Sequence, residues 1–110
     1  MRMLDLLLKK RSGLELTDEE LKFIAMGAAE GTIPDYQLSS WLMAAFLNGL
    51  TPKETAGLTR AMALSGRKLD LSAVKGLKVD KHSTGGVGDG VSIALAPVAA
   101  AGGVVVPMMS

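Results

Sequence analysis

Residues 79–90, VDKHSTGGVGDG, bring a lysine, a histidine, two hydroxyl side chains and four glycines into one short segment. Glycines allow positive φ angles and let the backbone approach a ligand closely. Lys81 supplies a full positive charge, and hydroxyl groups donate hydrogen bonds. A ligand with negative charge and several acceptor oxygens matches these donors. The segment predicts an anion site, most simply for phosphate, and a flexible connection is the alternative.

The predicted phosphate ligands come from the loop, from the helix after it and from a later strand end. They are Lys81, Ser83, Thr84, Gly85, Gly86, Ser92 and Ser110. His82 leaves two interpretations open. Its ring could brace the loop backbone, or it could face the substrate as an acid or hydrogen-bond donor.

Two familiar phosphate motifs do not fit this loop. The P-loop motif needs its lysine after the glycines, whereas Lys81 precedes them. The dinucleotide-binding motif would need a glycine at Val91. An anion site here must therefore have a different geometry from either motif.

A strand–loop–helix–strand order is predicted around the glycine loop. Leu77–Val79 and Val104–Val106 have the composition of short strands, and the alanine-rich segment Ser92–Ala101 predicts a buried helix. This order predicts one βαβ unit, whose strand ends point the same way and face one crevice. The helix N-terminus would add partial positive charge at that crevice.

The first part of the chain predicts a bundle of four amphipathic helices. Thr17 with Glu20 and Thr51 with Glu54 form capping boxes before two of them. Gly13, Gly31, Gly49 and Gly66 follow the predicted helix ends. We predict a helical domain at residues 1–68 and the start of an α/β domain at residues 69–110. The large apolar side chains, Trp41 and Phe46 among them, predict a core or a subunit interface.

Composition narrows the class of protein. The net charge of +1 and the 4% of aromatic residues give no basis for nucleic-acid binding. The chain has no cysteine, which excludes disulfides and thiolate metal sites and fits a reducing compartment such as the cytoplasm. Pro97, the Gly102–Gly103 pair and Pro107 interrupt the apolar stretch 91–109, so it does not predict a membrane-spanning helix.

Four segments together resemble the pyrimidine-nucleoside phosphorylases, the family that includes thymidine phosphorylase. They are MRMLDLLLKKRSGLELTDEEL, IPDYQLSSWLMAAFLNGLT, VDKHSTGGVGD and VPMMS. The resemblance implies reversible phosphorolysis of thymidine or uridine to the free base and a pentose 1-phosphate, a pentosyltransferase reaction of nucleoside salvage. It also implies a helical domain that forms homodimers and a larger α/β domain, similar to that of phosphoribosyltransferases of this fold.

The resemblance also assigns roles to residues. It implies that Lys81, Ser83, Ser92 and Ser110 bind phosphate as co-substrate and that His82 lies near the pyrimidine and the sugar. It implies no organic cofactor and, in some members, a potassium ion held by backbone carbonyls matching Gly88 and Gly90. The residues that grip the base lie beyond Ser110 in this family. We therefore expect this chain to be an N-terminal portion that does not catalyse phosphorolysis alone.

Two alternatives remain at this stage. An enzyme similar to anthranilate phosphoribosyltransferase has the same fold and a glycine-rich loop, but lacks the KHS lead-in, and it would bind phosphoribosyl pyrophosphate with magnesium. A non-catalytic helical dimerisation fragment would need no anion site, so substitution of Lys81 would leave its activity unchanged.

Overall fold

In the computed structural model, five helices make up the regular structure of the described residues, which are 1–82, 85, 88 and 90–108. The helices are α1 (Met3–Arg11), α2 (Asp18–Glu30), α3 (Asp35–Asn48), α4 (Pro52–Ser65) and α5 (Gly90–Ala101). The chain divides into two compact units, Met1–Leu69 and Asp70–Ser110. The first unit contains α1 to α4, as the sequence predicts.

Local sequence signals set the helix bounds in the first unit. Thr17 and Thr51 each accept a hydrogen bond from the backbone N–H of the glutamate three residues later, and each glutamate side chain bonds back to the threonine N–H. Both predicted capping boxes are therefore confirmed. Helix α2 ends at Glu30 and is capped by Gly31, whose φ of 70° lies in the left-handed region that favours glycine.

The four helices pack as two pairs, α1 with α3 and α2 with α4. Gly57 allows α4 to approach α2 closely, because a Cβ atom there would lie 2.7 Å from Asp18 Oδ1 and 3.1 Å from Leu21 Cδ1. The core of this unit contains Met3, Leu6, Leu16, Leu21, Ile24, Ile33 and Trp41. Trp41 is buried, as predicted for a core residue, whereas Phe46 is exposed.

The prediction of a complete βαβ unit was wrong for the second unit. Among its described residues, the two predicted strands form only an isolated parallel bridge between Lys78 and Val105. The Val79 N–H donates to Val105 O at 2.8 Å, and the Val105 N–H donates to Leu77 O at 2.8 Å. Helix α5 lies between the two bridging segments in sequence, so only the order of elements agrees with the prediction.

The prediction that α5 is buried was also wrong. None of its described residues is buried, and Val91, Ile93 and Val98 are largely exposed. The helix is apolar on most of its surface, which explains the prediction, but few neighbouring residues cover it. Among the described residues, no helix combines the length and apolar character needed to cross a lipid bilayer.

Candidate functional site

A crevice of about 200 Å³ lies in the second unit, beside the predicted anion loop. One side is formed by residues 79–81, directly after the bridging segment, and the other by helix α5 and residues 106–108. Its polar lining residues are Asp80, Lys81 and Ser92. The apolar lining residues are Val79, Leu95, Ala96, Ala99, Val106 and Met108.

The structure brings two of the predicted phosphate ligands to this crevice. Lys81 is half-buried and lies two residues after Val79, whose N–H donates to Val105 O. Ser92 is half-buried in the first turn of α5, where backbone N–H groups lack partners within the helix. Residues with a cationic and a hydroxyl side chain thus border one space, whose exposed surface is apolar. An oxyanion held there would require the Lys81 ammonium and the Ser92 hydroxyl to turn toward the crevice, where they would offer charge and hydrogen-bond donors.

The glycine loop has the backbone conformation that its sequence suggests where it is described. Gly85 and Gly88 have φ angles of 72° and 92°, and the Gly88 N–H donates to Gly85 O at 3.4 Å. Residues with a Cβ atom rarely adopt these φ angles, so glycine is required for this turn. His82 is exposed in the same segment. Ser83, Thr84, Gly86 and Ser110, which were predicted as phosphate ligands, lie outside the described residues.

A potassium site at the backbone carbonyls of residues 88 and 90 fits this loop only in part. Gly88 is exposed and lies outside regular structure, so its carbonyl group is compatible with a cation. Gly90 is the first residue of α5, and carbonyl groups at a helix start accept hydrogen bonds from the next turn. The described residues also contain no cluster of three acidic or histidine side chains suited to a metal ion. Potassium stays a prediction from the resemblance.

Sequence reasoning missed Asp80 and the apolar wall. Asp80 Oδ1 accepts the backbone N–H of Lys81 at 2.9 Å, and its residue borders the crevice. An aspartate directly before the only lysine of the loop was a visible signal. Leu95, Ala96 and Ala99 were less visible, because an alanine-rich helix gives no indication of which face will border a ligand.

A second groove, of about 390 Å³, lies in the helical unit between α2, α3 and α4. Its lining is almost entirely apolar and includes Ile24, Leu38 and Trp41. The indole N–H of Trp41 is buried and has no hydrogen-bond partner among the described residues. The groove offers no charged group, so it does not suit an anion. Of these two spaces, the crevice of the second unit is the one with a cationic residue in its lining.

The described chain combines a unit of four helices with a second unit that contains part of a glycine loop and a crevice beside it. Residues 4–66 match the family model described as "Glycosyl transferase family, helical bundle domain". The chain belongs to this glycosyl transferase family. The resemblance noted in the sequence is thereby confirmed at the level of the family.

Curated relatives match over the whole of this chain. It is 53% identical over 110 residues to a pyrimidine-nucleoside phosphorylase of Bacillus subtilis. It is 54% identical over the same length to the protein of that name from Geobacillus stearothermophilus, and 53% identical to that from Staphylococcus aureus. All 110 residues are covered, but they match only 25% of each relative. The chain thus spans about a quarter of the length of these relatives.

Proposed function

We propose that this chain is the N-terminal, phosphate-binding part of a pyrimidine-nucleoside phosphorylase. The enzyme transfers the pentose of thymidine or uridine to inorganic phosphate, which releases the base and gives a pentose 1-phosphate. The observation that carries the proposal is that Lys81 and Ser92, from different elements, line one crevice. The names of the relatives support this reaction over phosphoribosyl transfer, which was the alternative from sequence.

The crevice contributes by holding the attacking phosphate. Breaking the glycosidic bond develops positive charge on the sugar, and the phosphate must lie close to the anomeric carbon while it remains a nucleophile. Lys81 and the start of α5 bind phosphate oxygens, and the Ser92 hydroxyl donates a further hydrogen bond.

Lys81→Ala in the complete enzyme tests this role. Loss of a charge-assisted contact to phosphate should raise the KM for phosphate by about tenfold to a hundredfold. The KM for the nucleoside should change little, because Lys81 is assigned to the other substrate. Lys75→Ala is the matched control, since Lys75 lies in the same unit but does not line the crevice. An unchanged phosphate KM in an active Lys81→Ala enzyme would falsify the assignment.

The function of His82 keeps its two interpretations in this proposal. Its exposed position in the loop is compatible with a side chain that meets the nucleoside when substrate is bound. The same position is compatible with a ring that braces the loop.

We also propose a cytoplasmic enzyme, in keeping with a chain of 110 residues without cysteine.

We further propose that the helical unit forms a homodimer through α3. Met43, Phe46 and Leu47 lie within one turn of this helix, and all three are largely exposed. Contiguous apolar surface of this kind marks an interaction site in a protein that dissolves in water. A second copy of the chain would bury the same face on both subunits.

A further inference from the structure

We propose that Asp80 is a positioning residue for phosphate binding, acting through Lys81. Its carboxylate accepts the Lys81 N–H at 2.9 Å, an exposed contact that restrains the peptide from which the lysine side chain starts. The inference rests on the phosphate-binding function proposed above and adds a residue to that site. Nothing in the residue pattern of the glycine loop itself requires an aspartate at this position.

The backbone before Asp80 is already held in place. Val79 donates its N–H to Val105 O at 2.8 Å, within the parallel bridge that joins the two segments. The chain then leaves the bridge and turns toward the glycine loop. Asp80 is therefore the first residue after the last backbone hydrogen bond that ties this segment to residues 104–106.

Lys81 depends on the aspartate side chain for its backbone contact. In the part of the chain that the structure describes, the Lys81 N–H has Asp80 Oδ1 as its acceptor and no main-chain acceptor. Both residues line the crevice, opposite Ser92 on α5. The carboxylate thus restrains the peptide of Lys81 through an exposed contact between neighbouring residues, directly after the bridging segment.

The charge of Asp80 and its hydrogen bond have opposite effects on the affinity for phosphate. A carboxylate on the wall of an anion site repels the ligand, whereas a fixed lysine backbone lowers the entropy lost when the ligand binds. Asparagine separates these effects, because it keeps the Oδ1 acceptor and removes the charge. Alanine removes both.

Steady-state kinetics of the complete enzyme with phosphate as the varied substrate distinguish the variants. Asp80→Ala should raise the KM for phosphate by about fivefold to tenfold over that of Asp80→Asn, the size expected for one lost hydrogen bond, and by less over that of the wild type, because alanine also removes the repulsive charge. Asp80→Asn should keep the phosphate KM at or below the wild-type value. The KM for the nucleoside should stay within about twofold in both variants, which also reports that the enzyme is folded.

Asp70→Ala is the matched control for this experiment. Asp70 Oδ1 accepts the Ser72 N–H at 2.9 Å, which is the same kind of contact in the same unit, but Asp70 does not line the crevice. Its phosphate KM should equal that of the wild type. A rise as large as that of Asp80→Ala would mean that the effect is general loss of stability, and it would overturn the proposal.

Other outcomes are equally decisive. An active Asp80→Ala enzyme with an unchanged phosphate KM would contradict the inference, as would an Asp80→Asn enzyme impaired to the same degree as Asp80→Ala. If Asp80→Ala does not fold, amide hydrogen exchange of the wild type tests whether the Lys81 N–H is hydrogen-bonded. The Lys81 N–H should exchange at least about fivefold more slowly than in an unstructured chain, and unprotected exchange would overturn the proposal. A wild-type enzyme without phosphate-dependent turnover would instead refute the function itself.

Discussion

Glu54, in the first turn of α4, is held by hydrogen bonds from three other residues. It is fully buried and accepts hydrogen bonds from Lys10 Nζ at 2.9 and 2.8 Å, from the Leu16 N–H at 2.9 Å and from the Thr51 N–H at 2.8 Å. Burial by itself raises the pKa of this carboxyl, but the hydrogen bonds from these three residues outweigh it, so the pKa lies below its ordinary value. Glu54 therefore joins α1, the following loop and α4.

Glu54→Gln should destabilise the helical unit by about 3 kcal/mol near neutral pH, because it leaves the buried Lys10 ammonium without its counter-charge. The depressed pKa means that the wild-type stabilisation is present above the unfolded pKa, about 4.3, and is lost as the pH falls through the lower folded value. Below about pH 5, the free energy of unfolding of the variant should therefore depend less on pH than that of the wild type. Urea unfolding followed by the fluorescence of Trp41, the single tryptophan, measures both effects.

Glu15→Gln is the control for that measurement. Glu15 accepts a hydrogen bond from the Thr51 hydroxyl at 3.0 Å, but it is exposed. Its substitution should change the free energy of unfolding by no more than about 0.5 kcal/mol. Equal stability of the Glu54→Gln protein and the wild type at neutral pH would contradict the role of the buried pair.

Sequence alone predicted part of this arrangement. The Thr51–Glu54 capping box is a local signal over three residues, so it could be recognised. The pairing of Glu54 with Lys10 spans 44 residues, and local sequence shows Lys10 only as a cation in the last turn of a helix. Its burial depends on how α1 packs in the unit, which periodicity within one helix does not determine.

At the scale of elements, α3 gives a direct test of the proposed dimer. Phe46 is 82% exposed near the C-terminal end of this helix. Phe46→Glu should convert the dimer to a monomer, because a charge in a buried apolar interface costs several kcal/mol. Sedimentation velocity of the wild type and the variant checks this. Leu69→Glu, which changes a residue of similar type that is 62% exposed outside the helices, should leave the dimer intact. A monomeric wild type would contradict the proposal.

The second unit illustrates the limit of pattern-based prediction at this scale. Val104–Val106 has the composition of a buried strand, yet its described residues form a single bridge with the segment at Lys78. Composition reports how apolar a segment is, but a ladder also needs neighbouring strands, and two short strands alone are marginally stable in water. The same limit applies to helix α5, because its apolar surface predicts burial but does not identify the residues that would cover it.

At the scale of the whole molecule, the chain should bind phosphate without cleaving nucleosides. It spans about 25% of the length of the relatives, and the residues that the resemblance assigns to gripping the base lie beyond Ser110. Incubation of the 110-residue chain with thymidine and phosphate should give no thymine above the uncatalysed rate, measured by chromatography. The complete enzyme, assayed in parallel, should give phosphate-dependent release of thymine. Rapid turnover by the chain alone would overturn the proposed division of the active site.

Inorganic phosphate should bind between Lys81 and the N-terminal turn of α5, and a crystal structure of the complete enzyme with phosphate would show where it lies. We expect phosphate density within hydrogen-bond distance of Lys81 Nζ and Ser92 Oγ, with Asp80 Oδ1 on the Lys81 N–H. Phosphate bound elsewhere, with the Lys81 side chain directed away from it, would contradict the proposed phosphate site.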